Sequence, residues 1–104
     1  MVLDRSMNRE QVKARLLPYA PELKAEGVLH LALHGSVARG EETAESDVDF
    51  IAVFDENRKI SLINLIHVEN KLSDILGIKA DLCEKRSLRP DVAENAERDS
   101  ILVF

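Results

Sequence analysis

The 104-residue chain has no tryptophan, one cysteine, three prolines and four glycines, and its aromatic residues are three phenylalanines and one tyrosine. With so few rings, the core must come from Leu, Ile, Val and Ala. A lone Cys83 excludes an internal disulfide and a multi-cysteine zinc site. Basic residues are short as well: 14 Lys and Arg stand against 19 Asp and Glu, a net charge of −5. That balance argues against gripping a nucleic-acid backbone, and neither a basic groove nor an aromatic stacking platform is apparent. No run of about 18 apolar residues exists, so no membrane-crossing helix is expected. The opening stretch, with Asp4, Arg5, Arg9 and Glu10, lacks the apolar region of a secretory signal. The expectation is a cytoplasmic protein, with residues 1–104 forming a single domain.

What is present has a clear order. From about Asn8 to Glu26 the apolar residues Val12, Leu16, Leu17, Ala20 and Leu23 recur at helical steps. Pro18 and Pro21 interrupt them, which predicts a helix ending near Leu17 and then a shorter helical turn closed by Gly27. Val28–His34 reads as a strand covered on both faces. Val48–Phe54 is a second strand, ended by a turn at Asp55-Glu56-Asn57. Ile60–Leu76 is the longest helical pattern, with Leu62, Leu65, Ile66, Leu72, Ile75 and Leu76 as its apolar stripe and Gly77 as its stop. Ile78–Cys83 predicts a third strand, Pro90 opens a short helix, and Ile101–Phe104 predicts a last strand. The fold class is α/β (α+β), a small mixed sheet with flanking helices.

Between the first two strands lies Gly35-Ser36, then ten residues, then Asp47-Val48-Asp49. With each residue type at roughly 6% usage, four such fixed positions arise by chance in about one chain in a thousand of this size. Glycine permits close backbone approach to a ligand, and a helix start there would present free N–H groups to phosphate. The Ser36 hydroxyl either adds a donor to that phosphate or caps the helix. Arg39 either contacts a phosphate oxygen or pairs with Glu41 or Glu42. Ser46 orients the carboxylates or caps the turn.

Residues two apart on a strand share a face, so Asp47 and Asp49 project together while Val48 and Phe50 face the core. Like charges that close repel unless a cation lies between them, and hard oxygen donors suit Mg²⁺ or Mn²⁺. The alternative is a solvated strand edge. Asp81, inside an apolar strand, is costly unless paired or bound to metal, and is either a third ligand and base or an edge-strand surface residue. Cys83 shares its face and reads as a passive small side chain. Of the three histidines, His30, His34 and His67, none shows metal-ligand spacing; His34 adjoins the Gly-Ser turn. These parts fit phosphoryl-group chemistry, in which two metals clamp the attacking and leaving oxygens.

Gly35-Ser36-x₁₀-Asp47-x-Asp49 resembles the signature of the DNA polymerase β-type nucleotidyltransferases. The Gly-Ser-x-Ala-Arg-Gly form and small size resemble their minimal nucleotidyltransferase branch, MNT or MntA-like. The resemblance implies a polymerase β palm-like fold, ATP as substrate, and Mg²⁺ (two ions, or Mn²⁺) as cofactor. By position Ser36 matches the family's triphosphate-binding serine, and Asp47, Asp49 and Asp81 its metal-binding, catalytic carboxylates; Gly35, Arg39 and Ser46 are read with Ser36 as the nucleotide-binding residues of the turn. It also implies an antitoxin that transfers AMP to a tyrosine of a HEPN-domain ribonuclease toxin; from the composition, neither nucleic acid nor membrane is expected as a partner. Two other readings stand beside it. One is an antitoxin that neutralises its partner by binding alone, using the helix face between Ile60 and Leu76. The other is a small-molecule nucleotidyltransferase that needs a partner subunit.

Overall fold

In a computed structural model, which describes residues 7–41 and 47–104, a four-stranded mixed sheet carries helices on both sides. The strand order is β3-β2-β1-β4, with β1 spanning Val28–His34, β2 Val48–Phe54, β3 Ala80–Glu84 and β4 Ile101–Leu102. β1 runs antiparallel to both β2 and β4, whereas β2 and β3 are parallel. A parallel pair needs a crossover, and the long helix α4 (Leu62–Leu76) supplies it.

Local sequence explains the helices. Helix α1 (Arg9–Leu16) begins with a capping box, in which Asn8 accepts from the Gln11 amide and the Gln11 side chain accepts from the Asn8 amide. Pro18 falls in a tight turn over Leu17–Tyr19, and α2 (Ala20–Ala25) follows with Pro21 in its first turn. Ser61 and Asn64 form a second capping box at the head of α4, and Gly77 ends that helix in the left-handed conformation. Helix α4 therefore starts two residues later than its periodicity predicts, because Ser61 supplies the cap.

One sheet face is the core. Leu31, Leu33, Val48, Phe50, Ala52, Phe54, Ala80 and Leu82 alternate onto it and are buried with Val12, Leu16, Leu23, Val68, Leu72 and Leu76 from the helices. Lys71 on α4 reaches Glu22 at 3.1 Å and Glu26 at 3.3 Å, and Arg15 donates to the Leu76 carbonyl at 3.2 Å, tying the helices together over that face.

The other face departs from expectation. β1 is not covered on both sides: Leu29 and His30 are exposed, and Ala32 and His34 are half-buried. Helix α5 (Pro90–Asp99) lies over this side but buries none of its own residues fully. The apolar stripe of α4 is also narrower than predicted. Leu62 is 71% and Ile63 79% exposed, and Ile66 is exposed too, so Leu65, Val68, Leu72, Ile75 and Leu76 are what the helix turns toward the core. β3 begins at Ala80 rather than Ile78 and continues to Glu84.

Candidate active site

The second sheet face carries His34 on β1, Asp49 and Ile51 on β2, and Asp81 and Cys83 on β3, all opposite the core residues by alternation. Register brings them side by side, since Asp49 stands opposite His34 across the antiparallel pair and opposite Asp81 across the parallel pair. Residues from three strands thus meet around one carboxylate. Asp47, just before β2, is exposed, and Lys79 approaches it at 3.9 Å.

Directly after β1 the chain turns into a short helix, α3 (Gly35–Arg39), with Gly35 at φ +77°. A Cβ on Gly35 would stand 2.5 Å from Asp49 Oδ2, so only glycine lets the turn close onto this carboxylate. Ser36 is not the helix cap; His34 occupies that position without a side-chain hydrogen bond, and Ser36 sits one residue inside the helix. Its hydroxyl is therefore not committed to capping. Arg39 pairs with Glu41 at 3.1 Å, the surface alternative to a phosphate contact. Both groups are about half exposed, so this pair is weak and exchangeable. Ser46 lies outside the described residues.

Electrostatics mark Asp49 as the centre of the group. Burial pushes its carboxyl above the usual aspartate range; Asp81 and Asp47 push it further, while His34 and Arg39 oppose the rise. Burial also lowers the pKa of His34, against the pull of Asp49. The Cys83 thiol is raised, first by burial and then by Asp49, Asp81 and Glu69, which keeps it protonated and unreactive at neutral pH.

Among the described residues no three His, Cys, Asp or Glu side chains converge as a ready-made metal cluster. The backbone nevertheless sets Asp49 beside Asp81 in register, with Asp47 two residues away and Gly35 leaving space at Asp49 Oδ2. An all-oxygen, anionic donor set whose central member is hard to ionise fits a small divalent cation.

Beside this group a cleft of about 200 Å³ runs under α5, with His34, Gly35, Arg39, Ile51, Cys83 and Asn95 among its walls. A neighbouring cavity of about 230 Å³ shares Ile51 and Leu88 and extends toward His30 and Leu102.

Comparison with known proteins agrees with this arrangement. Residues 15–103 match the nucleotidyltransferase domain family. The chain belongs to that family. It is 34% identical over 95 residues to the protein adenylyltransferase MntA of Thermococcus cleftensis, covering 90% of this chain and 94% of that one. A solved structure provisionally described as a minimal nucleotidyltransferase superposes with a TM-score of 0.78 at 30% identity, covering 91% of this chain and 95% of the other. The nucleotidyltransferase therefore falls in the minimal branch. Its fold also matches, at 15% identity and a TM-score of 0.65, a Shewanella oneidensis structure of a tri-AMPylated HEPN toxin in complex with MNT antitoxin. That match covers 89% of this chain and 71% of the other.

Several residues in and around the site escaped sequence reasoning. The contact between Gly35 and Asp49, the Lys79 pairing with Asp47, and the hydrogen bonds that the Ala80 and Leu82 amides of β3 donate to Ser73 and Glu69 of α4 all depend on strand register, which leaves no local signal. His34 was visible beside the turn, but its position opposite Asp49 was not.

Proposed function

We propose that this nucleotidyltransferase transfers AMP from ATP to a tyrosine of a HEPN-type ribonuclease toxin and so acts as its antitoxin, as a single minimal domain in the cytoplasm. The observation that carries this reading is the register that sets Asp49 beside Asp81 and under the Gly35 turn. The protein adenylyltransferase name of the 34% identical relative supports the choice of reaction. The toxin partner is supported by the fold shared with a HEPN-bound antitoxin. No helix of the described residues is long and apolar enough to cross a membrane.

The division of labour follows from position. Ser36 and the backbone of the Gly35 turn hold the triphosphate, and Arg39 exchanges Glu41 for a phosphate oxygen. Ser46, next to Asp47 in the sequence, is assigned with them to nucleotide binding. Asp47, Asp49 and Asp81 would hold Mg²⁺, which would neutralise phosphate charge and make the acceptor hydroxyl more acidic. The tyrosine oxygen attacks the α-phosphorus, the bond to the bridging oxygen of the β-phosphate breaks, and pyrophosphate leaves. Asp81 takes the phenolic proton. The enzyme contributes positioning and charge balance rather than a covalent intermediate.

A second reading, neutralisation by binding alone, is favoured by exposed Leu62, Ile63 and Ile66 on α4, away from the carboxylates. The intact mass of a HEPN partner after incubation with this chain, ATP and Mg²⁺ separates the two. Gains in AMP-sized steps, absent with Asp47→Ala/Asp49→Ala, are expected. An unchanged mass in a complex that both forms of the chain still assemble would sink transfer and leave binding.

A further inference from the structure

Strand β3 lies at the edge of the sheet, and an edge strand presents backbone N–H groups with no strand to accept them. Here two of them are taken by side chains of α4. The Leu82 amide donates to Glu69 Oε2 at 2.8 Å, and the Ala80 amide donates to Ser73 Oγ at 3.0 Å. Ser73 in turn donates its hydroxyl proton to the Glu69 carbonyl at 3.1 Å, which orients its oxygen toward β3. These two bonds flank Asp81.

The geometry is matched. Four residues along a helix advance about 6 Å, and two residues along a strand advance about 6.6 Å. Glu69 and Ser73 are therefore spaced to meet alternate amides of one strand. On its other side β3 pairs with β2, placing Asp81 opposite Asp49. The segment that carries Asp81 is thus held from both edges, although it is only five residues long.

We infer that Glu69 and Ser73 are positioning residues for the transfer reaction, clamping the backbone on either side of Asp81 so that its carboxylate stays aligned with Asp49. The inference rests on the nucleotidyl-transfer reading above, because it assigns these residues an effect on Asp81 rather than on substrate. Neither is a catalytic residue. A merely structural role, covering an edge against aggregation, would alter stability and leave the turnover of folded protein unchanged.

The test compares wild type with Glu69→Ala, Glu69→Gln and Ser73→Ala. Each is followed by partner mass gain, by amide exchange at Ala80 and Leu82, and by Mn²⁺ affinity. A backbone shift of about 1 Å can lower turnover about 100-fold. Glu69→Ala is expected to speed Leu82 exchange, weaken Mn²⁺ binding and lower kcat by about tenfold or more, with KM for ATP within about twofold. Glu69→Gln keeps an acceptor oxygen and should restore kcat to within a few-fold of wild type. Ser73→Ala should act in the same direction, at Ala80. Unchanged kcat in folded Glu69→Ala would overturn the inference, as would a Glu69→Gln variant no better than Glu69→Ala. Should wild type transfer nothing, the proposed reaction falls. The clamp is then judged on exchange and Mn²⁺ affinity, and unchanged values in Glu69→Ala would overturn it.

Discussion

At the residue scale, Asp49 is the position where stability and the proposed function conflict. Its carboxyl is raised by burial and by its acidic neighbours, so folding opposes its ionisation. A carboxylate with a raised folded pKa leaves the native state holding more protons than the unfolded state between the two pKa values. Stability then falls as pH rises through that window, and the penalty is complete above it. Asp49→Asn removes the ionisation. In metal-free buffer this variant should melt a few degrees above wild type at pH 7, and the gap should narrow as pH falls from the raised folded pKa to the ordinary aspartate value and be gone below it. Thermal melts across pH check this, and equal melting at pH 7 would contradict the electrostatic account. Gly35 belongs to the same compromise, because any side chain there would meet Asp49 while the backbone sits at positive φ.

At the element scale, α4 has two jobs along its length. Its later turns bury Val68, Leu72 and Leu76 completely or nearly so, while Leu62 and Ile63 near its start point into solvent. Leu72→Ala should cost about 2–5 kcal/mol, since a fully buried leucine leaves both lost contacts and a cavity. Leu62→Ala should change stability by no more than about 0.5 kcal/mol. Chemical denaturation of both variants measures the difference; a large loss at Leu62 would mean that its side chain is packed. Sequence periodicity put Leu62 and Leu72 on one stripe and had no means of separating them. Successive residues turn about 100° around a helix, so Leu62 and Ile66 fall at the margin of the stripe, and apolar spacing does not show how wide a stripe the core will cover.

At the scale of the whole molecule, the sheet divides labour between its faces. One side is filled by α1, α2 and α4, and the other holds Asp49 and Asp81 beside the cleft under a loosely packed α5. With a net charge of −5 and acidic groups at the site, the protein should bind a nucleoside triphosphate well only together with a divalent cation. AMP-PNP with Mg²⁺ should therefore raise Tm, by the equivalent of about 2.7 kcal/mol at a hundredfold excess over Kd. Either component alone should do less, and Asp47→Ala/Asp49→Ala should abolish the shift. An equal rise in the double variant would place nucleotide binding elsewhere.

The sequence was enough to locate the strands β1 and β2 to the residue, the Gly35-Ser36 turn, and the helices opened by Pro90 and stopped by Gly77. These are local features: alternation, caps, turn residues and a short fixed spacing act within a few residues of chain. Strand order, the single buried face of β1, the register of Asp49 with Asp81, and the grip of Glu69 and Ser73 on β3 came from the folded chain. Each is a contact between segments distant in sequence, and pairing between strands depends on which surfaces can be buried together. That is a property of the assembled core and not of any one stretch of residues.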